Sequence, residues 1–266
     1  MASFRQRATR ALVATNSRLV RWHGAWRRHV WPAGDTVFIS AMPKSGSTYL
    51  TRLLADATGY LQYFLGTHHR NEQDLYLPRL VDAAPLNTVS HQHTRPTCEN
   101  VRLMRLYGIR PVILTRNIAD SLVSLRDMLV HNAPDSPVLR VPADFADWPA
   151  DRQFDMMIDL AGPWYARFVG DWAAEDRLET LWLRYEDMID APTAQVRRVA
   201  DFYGLDLPDR QIEAAVRALG RGDPRATRLN RGVRGRGARL MTSDQLTRLS
   251  GLFDYYPMVD RGLIGV

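Results

Sequence analysis

From residue 36 onward, short apolar runs alternate with stretches of helical spacing. Val37–Ala41 is a run rich in β-formers, and Leu50, Leu53, Leu54 and Ala57 follow it at i, i+3, i+4 and i+7, the spacing of one helix face. The pattern repeats at Pro111–Thr115, a buried strand, with Ile118, Leu122, Leu125 and Leu129 on the helix after it. Leu86–Ser90 and Leu181–Met188 read as further strands, the second running into a turn. Asn71 opens a helix to Val81, a stripe from Phe154 through Trp164 to Trp172 marks a long one, and 193–203 is amphipathic. Strands alternating with helices predict α/β class: one three-layer domain with a central parallel sheet flanked by helices.

Three segments depart from that rhythm. Residues 3–31 carry Phe4, Ala8, Leu12, Leu19, Trp22 and Trp26 at spacings of mostly three and four, a basic amphipathic helix stopped by Trp31-Pro32-Ala33-Gly34. Residues 131–150 hold Pro134, Pro137, Pro142 and Pro149 with little periodicity and read as part of a lid over an acceptor site. Residues 225–239 contain six arginines and three glycines, too glycine-dense for a stable helix but suited to wrapping an anion. The organisation predicted is a basic N-terminal helix over 1–34 and a domain over 35–266.

Charge follows the same division. Of the 35 lysines and arginines, seven arginines fall in residues 1–34, which hold no acid. Residues 35–266 then carry 28 basic against 29 acidic side chains, so the high pI belongs to one segment and argues against a nucleic-acid-binding domain. The helix over 3–31 either packs on the domain or meets a membrane surface or partner. The single Cys98 excludes an internal disulfide and a Cys-based zinc site, which suits a reducing, cytoplasmic setting. No apolar run has the length of a membrane span, and no apolar core of a secretory leader follows the basic start.

The chemistry concentrates after the first strand. Pro43-Lys44-Ser45-Gly46-Ser47-Thr48-Tyr49 turns a strand into a helix, so free backbone N–H groups and the helix dipole converge on one point. Lys44 is the only lysine of the chain and stands in that turn. A compact charge on a flexible stem suits a single bridging oxygen better than the planar fork of arginine. The turn is not a Walker A, in which Lys follows the second Gly. It is a phosphate or sulfate cradle.

Pro-Lys-Ser-Gly-Ser-Thr-Tyr resembles the loop that binds the 5′-phosphosulfate in PAPS-dependent sulfotransferases, whose fold is P-loop-NTPase-like. The resemblance runs through five short motifs over residues 36–260 and implies roles for particular residues. Lys44, Ser45, Gly46, Ser47, Thr48 and Tyr49 would hold the 5′ side of the donor. His93 matches the catalytic base of a Lys-x-His pattern, with His91 standing where that lysine would be. Arg116 and Ser124 match the pair that binds the 3′-phosphate, Tyr185 a base-contacting tyrosine, and Arg231, Gly232 and Gly235 a basic glycine loop that closes on the same phosphate. The Asp-Trp that follows in many members is Arg236-Gly237 here. His68, His69, Glu72 and His91 are candidates for the acceptor side, although Glu72 and Asp74 read first as a helix-capping feature, and adjacent histidines cannot chelate a metal as an i, i+4 pair does.

The function so implied is in-line transfer of a sulfuryl group from PAPS to a hydroxyl or amine acceptor, without a metal, with Lys44 on the bridging oxygen and His93 as general base. The acceptor would be a small molecule, glycan or lipid. Two other readings stand beside it: a P-loop kinase-like phosphotransferase, for which only Glu186-Asp187 resembles a metal-binding acid, and a non-catalytic nucleotide- or anion-binding protein.

Overall fold

The computed structural model describes residues 34–67, 72–131, 136, 138–221 and 234–266, together with Arg18 and Trp22 of the leader. Its strands are β1 (Thr36–Ala41), β2 (Leu61–Gln62), β3 (Thr88–Gln92), β4 (Pro111–Thr115) and β5 (Leu181–Arg184). They form one five-stranded sheet in the order β2-β3-β1-β4-β5, with every neighbouring pair parallel. The helices are α1 (Ser47–Thr58), α2 (Leu77–Ala83), α3 (Cys98–Tyr107), α4 (Ile118–His131), α5 (Ala150–Met156), α6 (Gly162–Ala173), α7 (Tyr185–Asp190), α8 (Pro192–Tyr203), α9 (Asp209–Arg221), α10 (Arg236–Leu240) and α11 (Ser243–Gly251).

The strand alternation expected of a sheet covered on both faces explains the two cores. Val37, Ile39 and Ala41 of β1 point to one face, where Leu50, Leu53 and Leu54 of α1, Val196 of α8 and Ile212 of α9 close over them. Phe38 and Ile113 point to the other, against Leu122 of α4, Phe154 of α5 and Phe168 and Trp172 of α6. The result is the three-layer α/β domain expected. Its sheet runs from β1 toward β3 on one side and β4 on the other. The connection leaving β1 runs toward β2 and that leaving its neighbour β4 runs toward β5, so the two part in opposite directions and open a crevice at the carboxyl ends of the strands, where open parallel sheets bind ligands.

Several elements differ from the sequence reading, each for a local reason. The helix expected from Asn71 begins at Leu77, with a proline in its first turn. Upstream, the amides of Leu75 and Tyr76 are engaged by Asn100 and the Leu65 carbonyl, which holds that stretch extended. The strand expected at 86–90 lies at Thr88–Gln92, in register with Thr36–Ser40 of β1. The strand expected from Leu181 stops at Arg184, and Tyr185 opens α7 with Glu186 and Asp187 in its first turn, where a helix favours acids.

The long helix is present but contains a π turn at Met157–Ala161 between α5 and α6. Pro163 has no amide to donate one turn back, so the spiral widens there. The proline-rich stretch is not wholly structureless: Phe145–Asp147 is a 3₁₀ turn, Phe145 is buried, and Gln153 donates to its carbonyl. Within the arginine–glycine segment, Arg236–Leu240 is helical despite Gly237. A Cβ at Gly237 would lie 2.3 Å from that of Ala119, so the glycine admits a close approach to α4. Residues 222–233 and most of the leader lie outside the described residues; Arg18 and Trp22 are helical.

Candidate active site

The turn between β1 and α1 is held by its carbonyls. Nδ1 of His93 donates to the Ala41 oxygen at 2.8 Å, and the Ser45 hydroxyl donates to that of Met42 at 2.6 Å. The Tyr165 hydroxyl donates to the Pro43 oxygen at 2.9 Å, and Nη1 of Arg116 to the Lys44 oxygen at 3.0 Å. Four successive carbonyls are thus satisfied by side chains from the turn itself, the segments just beyond β3 and β4, and α6. With the oxygens bound in this way, an anion meets the N–H side of the turn and the first-turn amides of α1, which have no acceptor within their own helix.

Backbone conformation reinforces the arrangement. Lys44 has φ 65°, the one non-glycine in the left-handed region among the described residues, and Gly46 follows with φ 85°. Gly46 is also required by space: a Cβ there would lie 2.7 Å from the ring of Tyr185. A strained lysine at the head of an anion turn is the kind of local cost that surrounding structure sustains at functional sites. Nζ of Lys44 contacts Sδ of Met128 on α4 at 3.7 Å.

Arg116 leaves the end of β4 and is buried, its guanidinium carbon 4.3 Å from the centroid of the Tyr185 ring. Its Nε is buried without a hydrogen-bond partner. An orphaned guanidinium N–H beside a glycine-lined turn is chemically suited to a phosphate oxygen. Ser124, on α4, is buried to the same extent. Tyr185 is buried, and that burial, ahead of any neighbouring charge, pushes its phenol up. Tyr49 shifts in the same direction through burial and then through Tyr185.

The carboxyl end of β3 supplies the histidines, and they part. His91 is still in the strand; its Nδ1 is 2.8 Å from the hydroxyl of Thr51 on α1. His93 lies beyond the strand, with Nε2 at 3.2 Å from Oε2 of Glu72. Burial is the largest influence on His93 and lowers it; Glu72 and the Ala41 carbonyl act upward, and Lys44 acts downward. His93 is therefore held below the ordinary imidazole range, which favours the neutral ring near physiological pH.

Asp120 of α4 accepts from the amides of Gly235 and Gly237 at 2.8 and 2.7 Å. This fastens the segment that follows Arg231 and Gly232 to the helix carrying Ser124. Glu186 accepts from the Asn117 amide at 2.9 Å and sits 3.7 Å from Arg184, so its carboxylate is engaged in bracing the β4 and β5 ends.

A family model of the sulfotransferase domain matches residues 34–231. The chain belongs to the sulfotransferase family. Among curated relatives it is 26% identical to the flavonol 3-sulfotransferase of Flaveria bidentis over 68% of this chain, and 25% identical to sulfotransferase 1A1 of Bos taurus over 70%. It spans 61% of the first relative's length and 64% of the second's. Among solved structures, a mouse sulfotransferase complexed with PAP superposes with a TM-score of 0.61 at 14% identity, covering 86% of both chains. A retinol dehydratase in complex with androsterone and PAP superposes with a TM-score of 0.56 at 14% identity, over 83% of this chain and 80% of that one. The domain model gives the family, and the solved structures give the fold.

Of the residues singled out in this sulfotransferase-family sequence, the structure gathers Lys44 to Tyr49, His93, Arg116 and Tyr185 around the ends of β1, β3, β4 and β5, with Glu72 beside His93, and puts Ser124 on α4, the helix that follows β4. His91 turns to α1 instead. His68, His69, Arg231 and Gly232 lie outside the described residues. Tyr165 and Asp120 were not anticipated. Tyr165 lies within the apolar stretch from Phe154 to Trp172, where only its hydroxyl signals a polar partner, and Asp120 is an acid in the first turn of a helix, a common position.

Proposed function

We propose that this protein transfers a sulfuryl group from PAPS to a hydroxyl or amine acceptor, with His93 as general base and Lys44 on the bridging oxygen. One observation carries the reading: the histidine that could take the acceptor's proton is hydrogen-bonded to the last carbonyl of the strand that leads into the anion turn. Base and cradle are thereby fixed to each other through one residue, Ala41.

PAPS supplies an activated sulfuryl group and a 3′,5′-diphosphate leaving group. The turn amides, Ser47 and Thr48 would hold its 5′ side, and Arg116 and Ser124, with Arg231 and Gly232, its 3′-phosphate. Lys44 would offset the charge that develops on the bridging oxygen, the point at which preorganised donors contribute most. His93, neutral and with Nδ1 donating to Ala41, offers Nε2 to the acceptor's proton. The reaction so described needs no metal. The acceptor is a small molecule, glycan or lipid, and the setting is cytoplasmic.

The basic segment 1–34 brings the enzyme to an anionic surface, the other reading being a helix that packs on the domain. Its seven arginines and no acids support this, as do helical Arg18 and the 66% exposure of Trp22. Salt-sensitive sedimentation with anionic vesicles, lost on deletion to Ala33, tests it; full-length protein that ignores such vesicles at low salt overturns it. Among the described residues no helix is long and apolar enough to cross a membrane.

Sulfate transfer from ³⁵S-labelled PAPS to a panel of alcohols, phenols and amines, with and without EDTA, tests the main proposal. Labelled product that is indifferent to EDTA is expected. Transfer from γ-labelled ATP that EDTA stops would favour the kinase-like reading, and PAP binding without any transfer would favour a nucleotide-binding protein.

A further inference from the structure

Both ring nitrogens of His93 are engaged. Nδ1 is 2.8 Å from the Ala41 carbonyl oxygen, and Nε2 is 3.2 Å from Oε2 of Glu72. A carbonyl oxygen carries no proton, so Nδ1 must be the donor. In the neutral ring that leaves Nε2 as the nitrogen with a lone pair. That lone pair faces a carboxylate oxygen, and two acceptors at such a distance repel unless a proton lies between them. When the pair carries a proton, that proton therefore lies between Nε2 and Oε2.

The geometry differs from the serine hydrolase triad, where a carboxylate orients the nitrogen remote from the reaction. Here a backbone carbonyl performs that orientation. The carboxylate meets the nitrogen that must do the chemistry. Its exposure also differs: the Glu72 side chain is 32% exposed and that of His93 12%. The charged groups facing His93 come from two segments, Glu72 ahead of α2 and Lys44 in the turn after β1.

We propose that Glu72 is the positioning residue of the base: it shares one proton with Nε2 of His93 and sets the pH at which that nitrogen is free. This rests on the reading of His93 as general base. Before turnover the pair releases its shared proton to solvent through the more exposed Glu72. The acceptor hydroxyl then enters against Nε2. As the acceptor oxygen bonds to sulfur and the bond from sulfur to the 5′-phosphate oxygen breaks, the hydroxyl proton moves to Nε2. It ends in the Nε2–Oε2 contact, restoring the protonated pair. One proton leaves per transfer, and nothing is oxidised or reduced.

The sign of the pH effect follows from the groups present. Burial and Lys44 favour the neutral ring, and Glu72 opposes them. Removing the carboxylate charge must therefore move His93 titration to lower pH. An opposite charge at this separation is worth about one to three pKa units, so Glu72→Gln should lower the proton affinity of His93 about tenfold or more.

The test uses the full chain with PAP bound and needs no acceptor. NMR of the histidine ring protons and nitrogens is followed against pH, with the His93 signal assigned by its loss in His93→Ala. The expected result is a neutral Nδ1–H tautomer and a midpoint that falls in Glu72→Gln and largely returns in Glu72→Asp. A midpoint unmoved or raised in Glu72→Gln, or a neutral Nε2–H tautomer, overturns the proposal. A residue that merely supports the fold would change melting without moving this midpoint. The reading beneath it fails separately: His93→Ala that retains sulfate transfer removes the base, whatever the titration shows.

Discussion

Arg116 donates from Nη1 to the carbonyl of Lys44 at 3.0 Å while its guanidinium lies over the ring of Tyr185. One buried side chain thus braces the strained residue of the turn and keeps an Nε without a hydrogen-bond partner, which the proposed 3′-phosphate would take. Arg116→Ala should weaken both PAP and 5′-AMP, because the turn loses a brace. PAP should lose more, since 5′-AMP has no 3′ group. A hydrogen bond to a charged group is worth about 1.5–3 kcal/mol, so calorimetry should show about a tenfold or greater excess loss for PAP. Equal losses would mean that Arg116 serves only the turn.

The two histidines at the end of β3 should behave differently on substitution. His93→Ala is expected to reduce sulfate transfer by about 10²- to 10⁴-fold, the usual range for a general base, with PAP affinity near normal. His91 meets Thr51 on α1, so His91→Ala should mainly lower the melting temperature and leave the rate at saturation close to that of the parent. Single-turnover rates on both variants decide it. The reverse pattern would place the base on His91.

How much of this was legible beforehand depends on the range of the forces involved. The strand β4 and the end of α1 at Gly59 follow from periodicity and a left-handed glycine cap, both local. The start of α2 does not, because the amides of Leu75 and Tyr76 are taken by Asn100 and Leu65, partners distant in sequence. In the site, the turn from Pro43 to Thr48 and Arg116 could be named from residue type and position. Tyr165 could not, since its hydroxyl reaches Pro43 across 122 residues from inside an apolar stripe. The pairing of Glu72 with His93 was equally hidden, because whether an acid caps a helix or faces a base is settled only by tertiary contact.

Lys44 should show a conflict between stability and activity. Its φ of 65° is a conformation that glycine adopts freely and other residues at a cost. Lys44→Gly should stabilise the fold by about 1 kcal/mol, or about 2–4 °C in melting temperature for a chain of this size. It should also abolish most transfer by removing the charge proposed for the bridging oxygen. Calorimetric melting and labelled transfer on the same preparation are the measurements. A variant that is both less stable and fully active would remove Lys44 from the proposed mechanism.

Asp120 offers a way to reach Arg231 and Gly232 indirectly. Its two carboxylate oxygens accept from the amides of Gly235 and Gly237, and its side chain is buried. In Asp120→Asn one oxygen becomes an NH₂ group, which cannot accept, so one buried amide loses its partner at a cost of about 1–3 kcal/mol. The remaining bond also loses the assistance of charge. α10 and the residues just before it should loosen from α4, while the turn at Lys44, which Asp120 does not touch, stays formed. If Arg231 and Gly232 close on the 3′-phosphate, PAP affinity should fall about tenfold and 5′-AMP affinity should hardly change. Calorimetry with both nucleotides, beside a melting curve that shows the variant is folded at the assay temperature, separates a local effect from a global one. Unchanged PAP affinity in a variant whose melting temperature has fallen would show that the segment is a structural clasp, and the 3′-phosphate would then rest on Arg116 and Ser124.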